Sequence, residues 1–177
     1  MPFVDLDALL PGGSASTGDQ IPATWAAGVA SNFGLVDPWG QWTDYTPTIA
    51  QGVTTDIAKT VNRARWMRVG RKVKVEVHVT MTAAGTAGDP ITISAPVTVA
   101  TLSPANAILG AGSGYFNDTG TAQYSVNVVQ VGGNNTTVRM LRCDATFTNY
   151  VGADPSMEIA SGDIIGIEFE YEAAADA

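Results

Sequence analysis

Disulfide bonds within the chain are excluded at once, because Cys143 is the single cysteine among 177 residues. Packing or assembly must therefore hold the fold. Histidine is as scarce: His78 stands alone, with no second histidine or thiol at ligand spacing, so neither a metal site nor a cofactor site is assigned. No activating motif surrounds Cys143, and no catalytic residue is assigned either. Positive charge is also short, with nine Lys and Arg against 17 Asp and Glu for a net charge of -8. Phosphate binding needs a field of cations, so nucleic acid is not an expected partner. No apolar run approaches the roughly 20 residues that span a bilayer, so a membrane is not expected as a partner. The opening Met1-Pro2-Phe3-Val4-Asp5 has no cationic region before an apolar stretch, which reads as cytoplasmic synthesis without a signal peptide.

What is present suits a turn-rich β protein: 45% apolar residues, 15% charged residues and 19 glycines. Residues 1–20 read as an extended arm with apolar Phe3, Leu9 and Leu10, broken by Pro11-Gly12-Gly13-Ser14. Next, Pro22 suits a first helical position, Ile21, Trp25, Val29 and Phe33 recur at steps of four, and Gly34 supplies a stop. This predicts a short amphipathic helix, which at about twelve residues is marginal alone and must pack against something. Asp37-Pro38-Trp39-Gly40 reads as a turn, after which the period changes from near four to two. The organisation expected is an anchoring arm and helix over 1–38 and a β-sandwich domain over 39–177.

In 72–81, Val73, Val75, Val77, Val79 and Met81 alternate with Lys72, Lys74, Glu76, His78 and Thr80, as a half-buried strand requires. Residues 163–172 repeat the pattern, with Ile165, Ile167, Phe169 and Tyr171 inward, and are expected to close the sheet. Weaker runs at 60–69, 90–93, 97–102, 113–116, 124–131 and 136–143 are separated by turn signals at Gly70-Arg71 and Gly132-Gly133-Asn134-Asn135. Strands at this spacing, with no helical pattern after position 40, predict an all-β, antiparallel, jelly-roll-like sandwich.

Charge is unevenly placed. Lys59, Arg63, Arg65, Arg68, Arg71, Lys72 and Lys74 crowd into 59–74, and only Arg139 and Arg142 lie elsewhere. Their expected partners are carboxylates on neighbouring strands, Glu168, Glu170 and Glu172 above all. The same three glutamates lie about 7 Å apart along one strand face, which keeps a carbohydrate-active enzyme open as an alternative.

Two stretches resemble a known family. Trp42-Thr43-Asp44-Tyr45-Thr46-Pro47-Thr48, followed by Arg65-Trp66-Met67-Arg68-Val69-Gly70-Arg71-Lys72-Val73, resembles the opening of a β module found in tail-fibre, head-fibre and minor virion proteins of phages. Trp66 stands where that family usually has Tyr, and Arg71 where it usually has Lys. The helix from Ala23-Thr24-Trp25 to Asn32-Phe33 resembles one that often precedes the module. The resemblance implies a non-enzymatic virion protein, assembled in the host cytoplasm and homotrimeric. Its role would be that of a capsid decoration or head-fibre protein held on the major capsid protein through Phe3, Leu9, Leu10, Trp25, Val29 and Phe33. A minor tail or tail-tip receptor-binding protein, seated on tail proteins and facing a host-surface glycan, is the alternative. The motif residues have structural jobs by their chemistry: Pro47 at an edge strand, Gly70 in a tight turn, and Trp42, Tyr45 and Trp66 as large buried faces.

Overall fold

The computed structural model describes residues 41–104, 107–143, 149–153 and 156–174. The expected arm and helix, with Phe3, Leu9, Leu10, Trp25, Val29 and Phe33, lie outside the described residues. Gly40–Ala177 is one compact unit, and its described part is all-β. The strands are β1 (Thr43–Asp44), β2 (Ile49–Gln51), β3 (Lys59–Val69), β4 (Lys72–Met81), β5 (Ile91–Ser94), β6 (Ile108–Asp118), β7 (Ala122–Val131), β8 (Thr137–Arg142) and β9 (Ile164–Glu172).

Alternation decides which side of each strand is buried. In β4, Val73, Val75, Val77, Val79 and Met81 are buried, and the residues between them face outward. Ile165, Ile167, Phe169 and Tyr171 of β9 do the same. They join Phe116, Val126, Val128, Val138, Met140, Ile91 and Ile93 in one apolar cluster. Each such side chain, fully buried, stabilises the fold by about 1.5 to 3 kcal/mol.

Every ladder is antiparallel, and the strand order is β1-β3-β4-β9-β6-β7-β8-β5-β2. The hydrogen-bond ladder thus forms a single nine-stranded sheet, curled into a half-barrel, rather than two separate sheets. Glycine sets how closely β6 and β9 approach each other. A Cβ at Gly112 would lie 2.0 Å from the Glu168 carbonyl oxygen, and one at Gly114 would lie 2.1 Å from that of Gly166. Only glycine lets β6 press so closely on β9, and the β6–β7 register shifts between Gly110 and Gly112.

Two expectations about strands are corrected. The C-terminal strand β9 lies in mid-sheet between β4 and β6 rather than closing it. Residues 97–102 form no strand, although Val99 bridges Ala173 and the Ala100 N–H donates to the Glu172 carbonyl at 2.7 Å. The expected turns are present. Gly70 at φ 59° opens the two-residue β3–β4 hairpin, and Gly133 at φ 77° lies in the β7–β8 connection.

Candidate interaction surface on the outer face of the sheet

The outward residues of β3 and β4 include Arg63, Arg65, Lys72 and Lys74 of the basic stripe, and those of β9 include Glu168, Glu170 and Glu172. Antiparallel pairing sets Lys72, Lys74 and Glu76 opposite Glu172, Glu170 and Glu168. The side chains then reach diagonally: Lys72 Nζ lies 2.5 Å from Glu170 Oε2, and Lys74 Nζ lies 2.6 Å from Glu168 Oε1. Arg71 closes the row on Glu172 at 2.9 Å. On the other side of β4, Glu76 accepts from both Arg65 at 2.9 Å and Arg63 at 3.1 Å. Lys59 binds Asp56 at 2.6 Å, which holds the Asp56 carboxyl below its usual range. The hydrogen bond to Glu168 likewise raises the pKa of Lys74.

Each of the three glutamates of β9 is thus ion-paired to a cation of its own, Glu172 to Arg71, Glu170 to Lys72 and Glu168 to Lys74. Among the described residues, no group of three His, Cys, Asp or Glu side chains is placed to hold a metal ion.

A second row crosses four strands. Asn62 Nδ2 donates to Thr80 Oγ1 at 2.9 Å and lies 3.3 Å from His78 Nδ1. With Nδ1 accepting, His78 Nε2 carries the proton and donates to Tyr115 Oη at 3.0 Å. Between His78 and Tyr115 runs Gly166, the register partner of both. A Cβ there would meet the Tyr115 ring at 2.5 Å, so glycine is what lets the bond span β9. The sequence reading placed His78 correctly on the polar face and missed this row. A glycine amid the strong alternation of β9 was its one visible signal.

The structure also joins the two stretches that carry the resemblance. Thr43 pairs with Trp66 and Asp44 with Arg65, and the Tyr45 N–H donates to the Ala64 carbonyl at 3.1 Å. Tyr45 and Trp66 pack partly buried against the core. Trp42 does not share that position: it stacks under the Arg65 guanidinium, 4.1 Å from the ring centroid. Pro47 is buried in the connection between β1 and β2, outside any strand. Cys143 is exposed, with its Sγ 3.8 Å from the Leu141 carbonyl, while His78 is engaged by Asn62 and Tyr115. No protein-family model matches the chain, and no curated protein is significantly similar to it.

Proposed function

We propose that the chain is a non-enzymatic structural component of a phage particle, a capsid decoration or head-fibre protein. One observation carries the reading. The two motif stretches that resemble phage virion modules, separated by sixteen residues in sequence, are hydrogen-bonded neighbours at one sheet edge, with Trp42 clamped on Arg65. The ion-paired outer face adds support, because exposed charge pairs of this kind serve register and solubility.

In this reading the curled sheet is the sandwich-like exposed body of a homotrimer, and residues 1–38 form the arm and short helix that hold the major capsid protein. A tail-tip receptor-binding protein is the second placement, and hydrolysis of a surface glycan would move the chain to the enzyme alternative. The test compares incorporation of the full chain and of a chain lacking residues 1–38 into particles, read by mass spectrometry of purified virions. The full chain is expected in the particle and the truncated chain, still folded, outside it. Equal copy numbers would overturn the anchoring role.

A further inference from the structure

Among the described residues, the edge of the sheet at β3 is only partly covered. β1 pairs with Trp66 and Arg65 alone, and after the Tyr45–Ala64 hydrogen bond the chain turns away. Among the described residues, no strand pairs with residues 59–63 on the side away from β4. A groove of about 370 Å³ opens there between Asp44, Tyr45 and Thr46 on one wall and Val61, Asn62 and Arg63 on the other.

The two sides of this edge differ in chemistry. Inward lies Val61, an apolar residue still 38% exposed. Outward lies Arg63, half exposed, which shares the Glu76 carboxylate with Arg65, while Asp44 of β1 is the register partner of Arg65. The register shift at Asn62 and the charge on Arg63 discourage indiscriminate pairing. The strand they admit alternates apolar residues on one side with carboxylates on the other.

The chain carries such a segment. Val4, Leu6 and Ala8 alternate with Asp5 and Asp7, and no Lys or Arg precedes Lys59. We propose that the β3 edge takes an added strand from a second copy of the chain, formed by residues 4–8 of that copy. Val4 and Leu6 then cover Val61, and a carboxylate of Asp5 or Asp7 faces Arg63. Backbone pairing supplies the affinity, and the alternation sets the register. Phe3, Leu9 and Leu10 flank the strand and remain for the particle. The inference rests on the assembly part of the proposed function.

Disulfide capture in the full-length protein tests it, in a Cys143→Ser background. One tagged copy carries Asp5→Cys or Asp7→Cys, and a differently tagged, co-expressed copy carries Thr60→Cys, which leaves the edge cations intact. Strand addition predicts a covalent heterodimer through at least one arm thiol, in about tenfold excess over the same arm paired with Ser113→Cys on β6, because docking raises the effective concentration. Equal yields from the two partners overturn the proposal. So does a bridge that forms only within one molecule when both cysteines are placed in the same chain. Virion incorporation is read separately, so failure of strand addition and failure of the particle reading give different results.

Discussion

At the scale of single residues, two tyrosine hydroxyls have opposite circumstances. Tyr171 Oη donates to the Val97 carbonyl at 2.9 Å and accepts from the Val97 N–H at 3.2 Å. Tyr45 Oη is buried without a hydrogen-bond partner among the described residues. Removing a satisfied hydroxyl strands its partners, whereas removing an unsatisfied one relieves a desolvated group. Tyr171→Phe should therefore cost about 1 to 2 kcal/mol in urea unfolding, and Tyr45→Phe should be neutral or stabilising. Burial raises the pKa of both phenols, that of Tyr171 to about 12. Above the ordinary value of 10.0, the unfolded chain sheds these protons while the folded chain keeps them, so stability falls from there up to about 12. Tyr171→Phe should flatten part of that fall.

The glycines of β6 and β9 make a second residue-scale contrast. At Gly114 a new Cβ meets backbone, 2.1 Å from the Gly166 oxygen and 2.7 Å from the Ile167 Cα, and neither can move without parting the strands. At Gly166 it meets the Tyr115 ring, which can swing away and give up its bond to His78. Gly114→Ala should cost about 3 kcal/mol or more, and Gly166→Ala about 1 to 2 kcal/mol. Adding Tyr115→Ala should recover part of the Gly166→Ala loss. Equal costs at the two sites would mean that the ring is as immovable as the backbone.

At the scale of elements, β4 and β9 hold the charge ladder between them. Exposed pairs contribute only about 0.2 to 1 kcal/mol each. Replacing Lys72 and Lys74 together by Glu should lower stability modestly, and adding Glu168→Lys and Glu170→Lys should restore part of it. Because these cations are already ion-paired, the folded protein should not retard DNA at low salt; salt-sensitive retention without the double-swap rescue would reopen nucleic-acid binding. These two strands were legible in the sequence because both alternate over nine or ten residues with one face buried. β2 was missed because three residues show no period. The first half of β6 was missed because Gly110, Gly112 and Gly114 remove the side chains that would reveal one. The run at 97–102 looked like a strand, yet only Val99 lies opposite a partner residue.

At the scale of the molecule, the strand order was not legible. Alternation says which face of a strand is buried and nothing about its neighbour, so β9, last in the chain, gave no sign that it lies between β4 and β6. The close approach of β6 and β9 was hidden for a related reason, since it depends on where the glycines of β6 fall against β9. The motif positions were visible as spacing, but their meeting as Thr43 with Trp66 required the fold. Assembly is the claim of the account that belongs to this scale. Light scattering of the purified full chain should give a multimer, three copies on the reading above, and a monomer at micromolar concentration would contradict it.

Gold-labelled antibody against the folded body, imaged on intact phage particles by electron microscopy, tests the central claim most directly. The account predicts label spread over the head, at many sites per particle. Label confined to the tail tip would move the protein to the receptor-binding role, and unlabelled particles from infections in which the protein is abundantly expressed would contradict the virion reading altogether.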